Sequence, residues 1–180
     1  MIIVTGAAGF IGRFVALALL DRGEEVVGVD EFNAYYDPAL KEARVAALLE
    51  RPNFRLVRMD VADSAAFGAL MQQTGARRVV HLAAQAGVRY SLDNPFAYEH
   101  ANVAGHLSVL EACRHASALE HLVYASSSSV YGERAADGAF REEDPLAPPA
   151  SLYAATKQAC ELMSSAYGGL YGLPQTGHRR

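Results

Sequence analysis

The chain is poor in the features that announce a membrane protein, a secreted scaffold or a nucleic-acid platform. It has only two cysteines in 180 residues. Cys113 and Cys160 both fall in helix-like stretches, which builds no disulfide framework and suits buried thiols in a reducing cytosol. Long hydrophobic runs are missing as well. The run from Phe14 to Leu20 is closed by Arg13 and Asp21, far short of the roughly 20 apolar residues that span a bilayer. Met1 to Thr5 carries no basic residue ahead of an apolar stretch, so no secretory leader is expected and a cytoplasmic location is. Positive charge is scarce: the formal net charge is −4, and Arg77-Arg78 and Arg179-Arg180 are only pairs. That leaves no electrostatic footprint for nucleic acid or an anionic membrane surface. His100, His106, His115 and His121 form no i, i+4 pairs with carboxylate support, so no metal site is expected. What remains is an ordinary globular composition, 51% hydrophobic and 20% charged. The length suits one domain, residues 1–180, with a real core.

Short apolar runs near residues 2–5, 25–29, 54–58, 77–82 and 120–125 alternate with helical patterns near 10–22, 39–50, 64–73, 96–116 and 152–168. Such alternation implies a parallel sheet covered on both faces, and right-handed crossovers make it a doubly wound α/β sheet of Rossmann type. Tyr131 to Ala150 is rich in Gly, Pro and charge and reads as a loop. Ser151 is placed to cap the helix that follows.

Gly6-Ala7-Ala8-Gly9-Phe10-Ile11-Gly12 sits between the first apolar run and the first helical one. Glycines let the backbone turn tightly and approach a pyrophosphate, whose charge the helix N-terminus then meets. Gly6, Gly9, Phe10, Ile11 and Gly12 are therefore expected to bind a dinucleotide. Asp30 closes the second strand about twenty residues on, where a carboxylate accepts both adenosine ribose hydroxyls and repels a 2′-phosphate, favouring NAD over NADP. A strand-end Asp also serves as a cap or turn residue. Asn33 is assigned to the same cofactor edge. Asp60 and Val61 close the third strand and either border the adenine or make a turn. Leu82, Ala83 and Ala84 end the fourth and let the cofactor lie across the sheet's carboxyl edge. His81, just before them, reads as a hydrogen-bonded core residue rather than a catalyst.

The second half carries a sharper signal. Tyr153 and Lys157 lie four apart, and with nine tyrosines but only two lysines in the chain that spacing is expected roughly 0.1 times by chance. On a helix the ammonium lies beside the phenol, favours its ionised form and pulls its pKa down from about 10. Such a phenol is a proton-transfer catalyst. The run Ser126-Ser127-Ser128-Ser129 directly follows the apolar stretch Leu122-Val123-Tyr124, which puts hydroxyls at the end of a strand.

In their order along the chain, the glycine turn, Asp30, His81-Leu82-Ala83-Ala84, Asn102, the serine run and Tyr153/Lys157 resemble the extended short-chain dehydrogenase/reductase family. More narrowly, the blocks from Ala84 to Ser91, Tyr124 to Gly132 and Ser151 to Lys157 look like the UDP-glucuronate 4-epimerases within the NAD-dependent epimerase/dehydratase branch. The resemblance implies tightly held NAD, hydride abstraction from C4 of a UDP-sugar, rotation of the 4-keto intermediate, and hydride return to its other face. It implies Tyr153 as the base for the C4 hydroxyl, with Lys157 tuning it and bonding the nicotinamide ribose, and Ser127 as the hydroxyl bonded to the reacting oxygen. It places Ser128, Ser129 and Gln85 against the substrate, and Asn102 near the cofactor and the catalytic helix; otherwise Asn102 is an ordinary helix residue. Arg89 matches the charge of a uronate or a phosphate and equally suits solvated surface.

Related dehydratases carry an Asp-Glu pair where Ser128 and Ser129 stand, because expelling water needs an acid and a base, so neutral serines argue against dehydration. Decarboxylation of a β-keto uronate stays open. Family members continue after Gly177 with a sixth strand and a C-terminal substrate region, whereas this sequence ends at His178-Arg179-Arg180. The C-terminal substrate domain is thus expected to be absent, with much of the grip on the sugar nucleotide. A truncated, non-catalytic NAD-binding domain is the alternative to an epimerase. The resemblance also implies a homodimer through the helices near 96–116 and 152–168. Their apolar or small faces include Val103, Leu107 and Leu110 on one and Leu152, Ala159, Leu162 and Met163 on the other; burial against their own sheet is the competing reading.

Overall fold

The computed structural model describes residues 1–133 and 139–179. Residues 134–138, within the expected loop, and Arg180 lie outside the described residues. Strands β1 (Ile2–Thr5), β2 (Val26–Asp30), β3 (Phe54–Arg58), β4 (Arg78–His81), β5 (His121–Ala125) and β6 (Gln175–His178) form one parallel sheet. Its order is β3-β2-β1-β4-β5-β6. The helices are α1 (Phe10–Asp21), α2 (Pro38–Leu49), α3 (Ser64–Thr74), α4 (Tyr90–Asp93), α5 (Pro95–Tyr98), α6 (Gly105–Arg114) and α7 (Leu152–Tyr171). β1 lies between β2 and β4, so the strand order reverses there and opens a crevice at the carboxyl ends of β1 and β4.

Alternation along the strands feeds two cores. Ile2, Val4 and Val26 pack with Ala16 and Leu20 of α1 and Val45 and Leu48 of α2. Ile3, Val27, Val79 and Leu122 pack on the other face with Phe67 and Leu70 of α3 and Val109 and Leu110 of α6. A sheet buried on both sides has no polar face to alternate with, which is why β1 and β2 read as unbroken apolar runs. Three helices start on side-chain caps: Asp37 accepts from the Ala39 N–H at 2.9 Å, Asp63 from Ala66 at 3.0 Å, and Ser151 from Ala154 at 3.0 Å. Ser151 is the cap that the sequence led us to expect. No helix among the described residues is long and apolar enough to cross a membrane.

One expectation needs correction. A sixth strand is already formed by Gln175–His178, paired to β5 from Leu122 to Ala125, where the sequence suggested that one would begin only beyond Gly177. Gln-Thr-Gly-His has no apolar pattern because it is an edge strand with mostly exposed positions. At Gly177 a Cβ would stand 2.5 Å from the Tyr124 hydroxyl oxygen, so a side chain there would displace the Tyr124 ring. The helix expected near 96–116 is present, running through α5, a π-helical turn over Glu99–Ala104, and α6. Within the faces considered for dimerisation, Leu110 is fully buried and Met163 packs on the core, while Leu107 and Leu162 are exposed.

Candidate functional site

The crevice is a cavity of about 610 Å³ running from the α1 N-terminus across the sheet edge to α7. Its lining includes Gly6, Gly9, Phe10, Ile11, Gly12, Asp30, Asn33, Asp60, Val61, Leu82, Ala83, Ala84, Gln85, Tyr153 and Lys157. The glycine turn and the Tyr153/Lys157 pair, far apart in sequence, thus face one space.

At the first end the backbone does the work. Gly6 has φ +69°, and a Cβ there would sit 2.8 Å from the Ala83 nitrogen; at Gly12 it would meet the Gly6 carbonyl oxygen at 1.9 Å. The turn therefore closes on the end of β4 only without side chains. Gly9, the residue capping α1, supplies no side-chain acceptor, unlike the caps of α2, α3 and α7. An uncapped helix start with its N–H groups beside a cavity suits an anion such as a pyrophosphate.

Asp30 is buried, and its two oxygens accept from the Ala8 N–H at 3.0 Å and the Phe32 N–H at 2.9 Å. The carboxylate thus fastens the glycine turn as well as lining the cavity. Lys41 was missed from the sequence. It is buried on α2, its Nζ donates to Asn33 Oδ1 at 2.8 Å and lies 3.8 Å from Asp30 Oδ1. Asp60 makes the turn suggested for it, its Oδ1 accepting from Ala62 N–H at 2.9 Å, and it also lines the cavity. Its other oxygen lies 2.6 Å from His100 Nε2, a bond that raises the imidazole above its ordinary value.

Between the two ends, Thr5 is a hub. Its hydroxyl oxygen accepts from the Leu82 and Ala83 N–H groups, each at 3.1 Å, so its own proton goes to His81 Nδ1 at 2.8 Å. His81 is then the neutral Nε2–H tautomer. Burial holds it well below the ordinary imidazole range, with His106 and Lys157 adding to the effect. His106 stacks on it at 5.3 Å, bonds Ser164 Oγ at 2.8 Å, and is pushed by burial down to about 3.

At the second end, α7 presents Tyr153, Lys157 and Glu161 on one face, a helical turn apart. Lys157 Nζ donates to the Ala125 carbonyl at 3.0 Å, tying α7 to the end of β5. The Tyr153 ring meets the buried Tyr98 edge-on, centroids 6.1 Å apart. Ser127 is extended and caps the 3₁₀ turn Ser128–Tyr131, its Oγ accepting from Ser129 N–H at 3.2 Å and from Ser129 Oγ at 2.7 Å. Asn102 is 2% exposed and outside the cavity lining. Its amide bonds both backbone groups of Gln85, at 2.8 and 3.1 Å, and donates to Thr156 Oγ1 at 3.0 Å. It joins the segment after β4 to α7. Arg89 is exposed on the loop before α4, and neither it nor Ser127, Ser128 or Ser129 lines the cavity.

Over residues 3–179 the sequence matches the profile of the family described as GDP-mannose 4,6 dehydratase. The chain belongs to the NAD-dependent epimerase/dehydratase family. Among members of that family, it is 49% identical to UDP-glucuronate 4-epimerase 3 of Arabidopsis thaliana, across 99% of this chain and 41% of that one. It superposes with TM-score 0.90 and 35% identity on the UDP-glucuronic acid 4-epimerase of Bacillus cereus in complex with UDP-glucuronic acid and NAD, covering 99% of this chain and 55% of that chain. A Streptomyces venezuelae dTDP-glucose 4,6-dehydratase, DesIV, with NAD and DAU bound, gives TM-score 0.87 at 29% identity, again over 99% and 55%. This chain spans less than half the length of the curated relative and just over half of the two solved ones.

Proposed function

We propose that this chain binds NAD in the crevice and acts as the redox portion of a nucleotide-sugar 4-epimerase on the UDP-glucuronate/UDP-galacturonate pair. The observation that carries the reading is the shared cavity: an uncapped, glycine-walled helix start at one end, and Tyr153 with Lys157 at the other. The glycine turn and α1 would hold the pyrophosphate, Asp30, Asn33 and Lys41 the adenosine ribose, and Val61 the adenine. NAD, when bound, supplies the acceptor and later the donor of a hydride. Tyr153 takes the proton of the sugar C4 hydroxyl and returns it after the keto sugar has turned over. Lys157, held on the Ala125 carbonyl, keeps its charge beside the phenol. Ser127 bonds the reacting oxygen, while Ser128, Ser129, Gln85 and Arg89 meet the sugar nucleotide. The neutral Ser128 and Ser129 favour epimerisation over the dehydration that other members perform.

Incubation with NAD+ and UDP-glucuronate should give UDP-galacturonate; no product from any UDP-sugar counts against turnover. A second reading, a non-catalytic NAD-binding domain, is favoured by the position of Arg89 and the serines outside the cavity lining. Calorimetry that shows NAD binding without turnover selects it, and release of CO2 from UDP-glucuronate selects a decarboxylase. The exposed Leu107 and Leu162 on α6 and α7 fit a homodimer contact, for which light scattering at micromolar concentration should give twice the chain mass.

A further inference from the structure

Arg179 follows β6 and reaches three other segments. Its guanidinium makes two bonds to the Glu161 carboxylate at 2.9 and 2.8 Å, one to the Tyr131 hydroxyl at 3.0 Å and one to the Glu142 carbonyl at 3.1 Å. It also lies 5.0 Å from the Tyr131 ring centroid, and that ring stacks on Phe140 at 4.9 Å. Glu161 in turn accepts from the Ser126 hydroxyl, and the Ser126 N–H donates to the His178 carbonyl at 2.8 Å. The serine segment is therefore held at both ends by one side chain: Ser126 through Glu161, and Tyr131 directly. Glu161 sits one turn beyond Lys157, which binds the adjacent Ala125 carbonyl. Successive turns of α7 grip successive residues at the end of β5, and the next residue is Ser127. Four acceptors on three segments match the planar fork of a guanidinium and exceed what a compact ammonium spans.

We propose that Arg179 is a positioning residue: by clamping Glu161 and Tyr131 it fixes the Ser126–Tyr131 segment and so aims Ser127 at the reacting oxygen beside Tyr153. The aiming step rests on the role given to Ser127 above; the clamp itself does not. In full-length protein, Arg179→Gln should raise amide exchange across residues 126–131 by about tenfold while leaving β1, β4 and NAD affinity at wild-type values. Where the wild type turns over UDP-glucuronate, kcat should fall by about tenfold or more with KM within about twofold. Ser127→Ala should then cost a smaller factor in the Arg179→Gln background than in the wild type, because an unaimed hydroxyl has less to lose. Glu161→Gln, which keeps an oxygen for Ser126 but loses the charge that draws Arg179, should reproduce the pattern, and Arg179→Lys should restore only part of it. Unchanged exchange at 126–131 overturns the proposal, as does an equal cost of Ser127→Ala in both backgrounds. A drop in NAD affinity and melting temperature that parallels the loss of kcat assigns Arg179 to general stability instead. If the wild type proves inactive, the role of Ser127 falls and the exchange measurement still decides the clamp.

Discussion

The two ends of the crevice are built on opposite plans. The end beside α1 is made of backbone: a turn closed by glycines, an uncapped helix, and strands whose ladders run without a break through β1, β2 and β4. The end beside α7 is made of side chains that bridge distant parts of the chain. Asn102 meets Thr156, Lys157 meets Ala125, and Arg179 meets Glu161 and Tyr131. A backbone cradle tolerates almost no added atom but asks little of side-chain chemistry; a bridged site tolerates change of shape but fails when one donor or acceptor goes.

That contrast can be broken or sharpened by substitution. The largest effect is expected at Tyr153→Phe, which removes the phenolic oxygen that takes and returns the C4 hydroxyl proton and should lower epimerisation by about 10³-fold or more with NAD affinity unchanged. Parallel loss of NAD binding would show that the two ends are not independent. Gly12→Ala should do the reverse. Its Cβ is driven against the Gly6 carbonyl, and NAD should bind about 100-fold more weakly by calorimetry, roughly 2.7 kcal/mol. Asn102→Ala leaves the Gln85 N–H and carbonyl without their partner and takes one of two from the Thr156 hydroxyl, and should lower stability in urea by about 2 kcal/mol. Lys41→Gln should weaken NAD about tenfold with the fold intact, since the ammonium beside Asp30 and Asn33 is lost from the ribose end.

The smallest effect near neutrality is pH dependence through His81 and His106. Both are held neutral and low by burial, so the unfolded chain binds more protons below its imidazole value of about 6.5. Their stabilising contribution is complete above that pH and is lost on acidification, for His106 down to about 3 and at about 1.4 kcal/mol per pH unit. His106→Gln should flatten the slope between pH 6 and 4 in urea melts. His100 runs the other way: its bond to Asp60 raises it, so its small, exposed contribution is present below about 6.5 and fades as pH rises.

The same contrast explains what the sequence disclosed. Glycine spacing, Asp30 and the apolar runs are local consequences of backbone geometry and of strands buried on both faces, and five strands and the turn were legible from them. Tyr153/Lys157 was legible because the helix brings i and i+4 together. β6 was not, because an exposed edge strand carries no alternation. Lys41 and the bridges of Asn102 and Arg179 were not either, because each depends on a partner many residues away that no local pattern marks.

The central claim is that the two ends serve one reaction at C4 of a UDP-uronic acid. UDP-glucuronate carrying deuterium at C4, incubated with the protein and NAD+ and followed by NMR, should yield UDP-galacturonate that keeps the deuterium at C4. UDP-galacturonate with protium at C4, or no UDP-galacturonate while NAD binds, would contradict it.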